Sequence, residues 1–451
     1  MLLYVILAMG TVYAGRPGAD EHRLLFVDIV YEALLKHGDT FNLQLVQTRL
    51  ILALFAFSQG QYNRAWDSCG SAVRVAFGLK FNTEEGVAAM GEHEEPDFGL
   101  DYTELVECRR RTFWSAYIMD CFNGCCSGSV TTISREDCHL RLPCAPTMAK
   151  SGDSSCAPYS FDSLSNGHNG AGNHTNGYET LSQVGPLGFL VEIATIFNQV
   201  VSRVSRIKSQ ASTKSSVSFD TFFHDTTRRL SLWDKSMTSH SRKNQEGVDN
   251  PESVSGLHIL YHYTTLVLHR YIRYTDLDQL QISVHAKGAY THARLMLELV
   301  QRLSNNEETD GPLFRFGTTS PLAGFAITAA LDVITATGTY SDLVDHNSQM
   351  MSLISSGVEA LERLVDFWHS ARRQRDMIKQ RLAILLTANQ RASDRHGAFF
   401  FGQPMQIPYG LEYDLVYALP RTQYFQALRW DRFGGSSFHR LDSEAKAIGA
   451  I

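Results

Sequence analysis

Apolar residues recur at three- and four-residue spacing through most of the chain, and strict alternation of apolar with polar residues is scarce, a pattern that predicts helices and almost no strand. The first apolar run, residues 1–9, reads as a buried helix that begins abruptly at the first residue. No charge precedes Arg16, and the run is well short of the ~20 residues that span a bilayer, so neither a signal peptide nor a membrane anchor is expected. Amphipathic patterns follow over 21–36, 42–58, 62–77 and 102–122, then over 185–208, 218–235, 253–274, 284–303 and 321–337, while 352–391 forms one helix or two. The short connection Gln59-Gly60-Gln61 makes antiparallel neighbours of two of these, setting Leu52, Ala53 and Ala56 against Ala65, Trp66, Cys69, Ala72 and Val73.

The polar stretches divide these helices into groups. Residues 83–99 carry Glu84, Glu85, Glu92, Glu94, Glu95 and Asp97 and read as a solvated loop. Residues 150–177 are dominated by Ser, Gly and Asn, with almost nothing to bury, and read as a disordered, linker-like loop. From Phe399 the chain is rich in aromatics and glycine, and Pro404, Pro408 and Pro420 interrupt any regular element. The expected fold is all-α: one half of a helical domain over 1–149, a flexible linker over 150–180, the other half over 181–395, and a partly irregular tail over 396–451.

Composition narrows the function classes. The 451 residues are 44% hydrophobic and 20% charged, an ordinary globular balance that sets aside wholesale disorder, a fibrous repeat and a multi-span membrane protein. The formal net charge is −6, whereas a domain that grips a phosphate backbone usually carries a basic excess, so the chain as a whole is not built as a DNA grip. All of the eight cysteines but Cys69 lie between Cys108 and Cys156, too few for a disulfide scaffold. A reducing compartment is expected, with the thiols acting as small apolar side chains.

Catalytic and metal chemistry leave little trace. Cys121, Cys125, Cys126, Cys138, Cys144 and Cys156 include no C-x2-C pair of the kind that closes a structural zinc site. His258 and His262 lie four apart on one helix face, but Ile-Leu-Tyr stands between them where a metalloprotease motif has its glutamate, so a packed helix with His262, His269, Tyr261 and Tyr263 is the expectation. No phosphate loop, nucleophile elbow, kinase set or dinucleotide fingerprint is present. The chain is therefore not expected to be an enzyme, and no catalytic or cofactor-binding residue is nominated. Arg372, Arg373, Arg375, Lys379, Arg381, Arg391 and Arg395 form a basic cluster, read as a solvated helix face in preference to an import signal or partner surface.

The most informative stretch begins at Cys108. Arg109-Arg110-Arg111 leads into Phe113, Trp114 and Tyr117, and Asp120 follows on a largely apolar surface. A carboxylate there is costly without partners, so Asp120 is expected to meet an arginine or backbone donors from a neighbouring helix. Ile133, Asp137, Cys138, Leu142 and Pro143 follow at fixed spacing. This arrangement resembles the regulatory middle homology domain of fungal-specific transcription factors, in which an R-R-R-x-F-W-x-x-Y-x-x-D helix precedes an I-x-x-x-D-C/I-x-x-x-L-P segment. The motif residues are Arg110, Arg111, Phe113, Trp114, Tyr117, Asp120, Asp137 and Pro143. Weaker agreement extends to the Gly60 hairpin, to residues 76–79, and to 257–263 leading into Leu268-His269-Arg270.

The resemblance implies an all-helical regulatory domain of a nuclear transcription regulator, usually attached to an N-terminal DNA-binding module with a six-cysteine zinc cluster or paired zinc fingers. No C-x2-C-x6-C run occurs in this sequence. The expectations are, in order, a truncated gene model, an orphan regulatory domain acting through partners, and DNA binding by a surface without zinc. Zinc would enter only with an additional module; DNA would be reached indirectly or through that module, with a homo- or heterodimer and a small-molecule inducer as further partners and no membrane. The leading reading is a fungal-type regulator of a metabolic or secondary-metabolite gene set, with the aromatic tail, residues 399–433, as a candidate activating segment or an ordinary packing element. The alternatives are a scaffold that heterodimerises with full-length relatives without touching DNA, and an all-α enzyme whose site assembles from scattered residues.

Overall fold

The computed structural model describes residues 1–14, 19–89, 97–127, 131–145, 158–161, 184–209, 216–243, 251–306, 322–336, 344–393, 411–420, 423–424 and 427–428. Almost all of the Ser/Gly/Asn-rich stretch and most of the tail lie outside these residues. The fold is all-α; among the described residues the extended pairings are two isolated bridges, Thr83 with His139 and Cys144 with Val184. The chain divides into two compact units, the first Met1–Gln199 with Asp225–Leu257, the second Val200–His224 with His258–Ile451.

In the first unit, α1 (Leu2–Tyr13) packs on α2 (Ala19–His37) and α3 (Leu43–Ser58), and α3 lies along α4 (Tyr62–Gly78). Asn42 starts α3 by accepting a hydrogen bond from the Leu45 amide at 2.8 Å, which satisfies one of the amides a helix start leaves without an intrahelical partner. The α3–α4 turn depends on Gly60, whose φ of 72° is open to glycine at little cost; its amide donates to Phe57 O and the next one to Ala56 O. The hairpin buries the small residues on both sides, but Trp66 turns out to solvent at 55% exposure. Likewise α1 buries only one side, through Val5, Ala8, Met9 and Val12, and leaves Leu3 and Ile6 exposed.

Residues 83–99 are not simply a solvated loop. Thr83 caps a short helix, α5 (Glu84–Ala88), by accepting from the Gly86 amide, and Gly86 and Val87 are buried. Helix α6 (Tyr102–Ser127) starts on a reciprocal box: Asp101 accepts from the Glu104 amide at 2.8 Å, and the Glu104 carboxylate accepts from the Asp101 amide. The chain continues through α7 (Pro186–Ser209), α8 (Ser216–Lys243) and α9 (Pro251–Arg270). By length and composition α7 could cross a membrane, yet most of its apolar stretch is buried in the protein, including Phe189, Ile193 and Phe197. Trp233 of α8 donates to Phe189 O at 2.9 Å.

The second unit is built on α10 (Gln279–Asn306), which packs against α11 (Ala323–Thr335) and α12 (Val344–Phe367), with α13 (Arg372–Ser393) against α11 and α12. The long pattern near 352–391 is thus two helices: Trp368 leaves helical geometry at φ −119°, ψ 88°, with its ring buried. The basic cluster divides as well. Arg372 and Arg373 face solvent and Lys379 pairs with Glu362, but Arg381 is buried; the side chains of Arg391 and Arg395 lie outside the described residues.

The described part of the tail is packed, not extended into solvent. Tyr413, Leu415, Val416 and Leu419 are buried around the short helix α14 (Leu415–Ala418). Arg270 fixes it with two donors to Asp414, at 3.1 Å from Nε and 2.8 Å from Nη2, and a third hydrogen bond goes to Asp332 at 2.5 Å. Tyr417 donates to Asp332, and Arg381 donates to Thr335 and to the Tyr417 hydroxyl. Burial works against the charge on Arg270, but the Asp414 and Asp332 carboxylates more than offset it and raise its pKa.

Candidate functional site

The arginine-rich turn of α6 faces inward. Arg109 reaches the carbonyls of Val87 and Ala89 at the end of α5. Arg110, buried, is bound between Glu107 at 2.6 Å and Glu84 at 2.8 Å. Arg111 donates from Nε to the other oxygen of Glu107 at 2.9 Å and from Nη2 to Cys144 O at 2.8 Å. Glu107 also accepts from the Cys144 amide, and Glu84 from the Arg141 amide at 2.7 Å. Two carboxylates and two guanidiniums therefore neutralise one another in a largely buried cluster that is also tied to backbone at Arg141 and Cys144, although Arg110 Nε is left without a partner.

One turn on, the aromatics hold the same segment. Trp114 donates to Arg141 O at 2.7 Å, and the Arg135 guanidinium lies 4.8 Å from its ring centroid. Phe113 and Tyr117 meet Trp114 edge-on, and the Tyr117 hydroxyl pairs with Thr195 at 3.0 Å. Asp120 accepts from the amides of Thr132 and Ile133 at 2.7 and 2.8 Å. These are backbone donors, but they come from the segment that follows α6, not from a neighbouring helix. Burial raises the Asp120 pKa, and the two amide bonds pull it back only in part. Asp137 is exposed and contributes its backbone carbonyl, which accepts from Asn82 at 3.0 Å. Pro143 is buried, and its carbonyl accepts from the Gly185 amide at 3.1 Å.

The motif residues thus secure the strap, residues 131–145, or the packing of α6 beneath it, Asp137 through its backbone alone. Arg111 also lines an open groove of about 710 Å³ between α1, α3 and α6. Leu2, Ile6, Leu50, Ile51, Leu54 and Met119 form its apolar part. Gln47, Cys108, Thr112 and Ser115 give it a polar strip, along which Gln47 donates to Thr112 at 3.1 Å. Apolar walls with a few convergent polar groups are the usual make-up of a small-ligand site. Sequence reading did not nominate Glu84, Glu107 or Gln47. Glu107 had a signal, lying three and four residues before Arg110 and Arg111, the spacing of helix ion pairs; Glu84 and Gln47 had none.

Among the described residues, Cys69, Cys121, Cys138 and Cys144 are buried thiols outside any disulfide. Burial pushes Cys69 and Cys138 up to about 12 and Cys144 to about 11, and it raises Cys121 as well. The side chains of Cys125, Cys126 and Cys156 lie outside the described residues. Among the described residues no group of three or more His, Cys, Asp or Glu side chains is placed to hold a metal ion.

A family model described as the fungal specific transcription factor domain matches residues 1–242. Transcription factor tazR of Aspergillus terreus is 32% identical over 107 residues, covering 24% of this chain and 16% of the relative. The negative regulator of pleiotropic drug resistance STB5 of Candida glabrata is 28% identical over 147 residues, 31% of this chain and 14% of the relative. An uncharacterized transcriptional regulatory protein of Schizosaccharomyces pombe is 23% identical over 274 residues, 59% of this chain and 27% of the relative. The chain therefore aligns with only 14–27% of the lengths of these relatives. No solved structure matches.

Proposed function

The chain belongs to the fungal-specific transcription factor domain family, and from that premise we propose that it is the helical regulatory body of a fungal-type transcription regulator that acts in the nucleus on a metabolic or secondary-metabolite gene set. The observation that carries this reading is the buried α6 cluster. The polar groups that single out the motif are engaged with their own chain, so they build a rigid frame and leave regulation to what opens on its surface. DNA is reached through a zinc-bearing module or a DNA-bound partner, and zinc belongs to that module. The groove beside Arg111 is the proposed seat of a small-molecule inducer, and the packed segment 411–419 is the activating segment, silent while buried.

A tethered reporter tests this reading. Fused to a heterologous DNA-binding module, the chain changes reporter output, and deleting residues 411–428 changes it again; a tagged copy of the unfused chain occupies chromatin. Undiminished output after the deletion removes the activating-segment reading. A fusion no different from the module alone, with no chromatin occupancy, removes the regulator. The groove has its own readout: an inducer seated there slows alkylation of Cys108, followed at that peptide by mass spectrometry, and an inducer that alters transcription while leaving this rate unchanged binds elsewhere. The exposed apolar side chains Leu3, Ile6, Leu24 and Leu25 favour a second reading, a partner that pairs with other family members without touching DNA. Reporter activity only when such a relative is co-expressed selects it.

A further inference from the structure

Four histidines of the second unit form a ladder. His262 and His269 lie seven residues apart on α9, and His285 and His292 lie seven apart on α10. The two helices run antiparallel, so this spacing brings the four into two rungs. His262 Nδ1 and His292 Nδ1 are 2.9 Å apart, and His269 Nδ1 and His285 Nδ1 are 3.2 Å apart. The seam is shaped around them: a Cβ at Gly288 would lie 2.5 Å from the His269 ring, so only glycine lets that imidazole rest on the α10 backbone. Phe223 of α8 covers the inner rung, meeting His269 and His285 edge-on, and Phe219 lies against His285.

An Nδ1–Nδ1 hydrogen bond needs one nitrogen to donate and the other to accept, so a rung without added protons holds its two imidazoles in opposite tautomers. The first proton taken up by a rung places a charge in the buried seam, and a second turns both facing nitrogens into donors and breaks the rung. The surroundings do nothing to welcome that charge. The groups acting electrostatically on His262 are His292, His258 and Arg302, all cationic when charged. Those acting on His269 are His285 and His292. Tyr261 packs on the outer rung, and the α8 side chains on the inner rung are phenyl rings.

We propose that this ladder makes the α9–α10 seam a proton-operated joint, closed while all four imidazoles are neutral and opened by the uptake of up to four protons. Burial, with the neighbouring positive charges, holds His262 and His269 at about 3, and burial holds His285 and His292 at about 4. In the opened seam each histidine regains its ordinary value of about 6.5. Because the native pKa values are depressed, the opened state binds more protons as soon as pH falls below about 6.5, and closure weakens steadily from there towards pH 4. The joint therefore responds in the mildly acidic range, well above the pH at which the closed rungs themselves titrate. Each histidine favours opening about tenfold between pH 7.5 and 5.5, so four together favour it by up to about 10⁴.

Amide hydrogen exchange on the full chain, corrected for the intrinsic pH dependence and read by mass spectrometry, tests the joint. Protection of peptides from 259–268 and 280–300 is expected to fall by up to about 10⁴ between pH 7.5 and 5.5, while α3–α4 peptides keep theirs. In the double variant His262→Gln, His292→Gln the fall shrinks to about 100-fold. Seam protection constant within threefold across that range overturns the proposal, as does a loss shared equally by α3–α4 or an undiminished pH response in the double variant. Should the double variant not fold, the profile of the unaltered chain decides alone.

Discussion

Truncating Asp120 to alanine would leave two backbone amides, one of them at the buried residue Ile133, without their acceptor. Orphaned buried donors cost on the order of 1–3 kcal/mol each, so Asp120→Ala is expected to lower stability by about 2–4 kcal/mol, measured as a shifted urea transition. Asp120→Asn keeps an oxygen for the same amides and should cost less than half as much; equal losses for both would show that the charge, not the acceptor, is what matters. At this scale the motif was readable as chemistry but not as partnership. A buried carboxylate in need of donors follows from residue type and the apolar surface around it. Which amides supply them depends on where Thr132 and Ile133 settle over α6, a choice that helical periodicity does not encode. Arg110 and Arg111, alike in sequence, differ for the same reason. One is enclosed by two carboxylates, and the other is a third exposed at the groove.

Helix existence was legible from apolar spacing nearly throughout, because each helix buries one face and the period records it. Errors arose where local chemistry overrode the pattern. Helix α5 was hidden in an acidic run, although Thr83 followed by two glutamates is itself a helix-start signal. Trp368 interrupts a continuous helical period with its ring buried, so apolar spacing runs on across the break and does not record it. Trp66 follows the same hydrophobic spacing as its neighbours but lies one position off the contact line with α3. The α9–α10 ladder was half visible: heptad spacing of histidines can be read on each helix, but the antiparallel register that pairs them cannot. Gly288→Ala tests the closeness of that pairing. A methyl placed 2.5 Å from the His269 ring must displace it, and such overpacking costs about 1–3 kcal/mol, so exchange protection in α9 and α10 should fall at neutral pH. Unchanged protection would mean that the seam has room to spare.

For the molecule as a whole, the all-α class, the family and the outline of the helices were recoverable from sequence, and the deepest polar structure of the second unit was not. Arg270, Asp332, Arg381, Asp414 and Tyr417 come from three helices and the tail, and no local spacing relates them. Asp414→Ala leaves Arg270 buried with half of its compensating charge, a change expected to cost about 3–5 kcal/mol, seen as lost exchange protection across α11 and residues 411–420. Protection retained in α11 would confine the role of Asp414 to anchoring the tail. The separation within this network also bears on how the protein is made. Arg270 leaves the ribosome 144 residues before Asp414, a delay of roughly 7–30 s at ordinary elongation rates. Through that interval the helices of the second unit can form and collect, but their innermost charges stay incomplete and the surface that receives Leu415 and Val416 stays open. Synthesis of the segment around Asp414, not of the helices before it, therefore commits this half of the protein to its native state, and a chaperone that shields the nascent chain would be needed until that segment emerges.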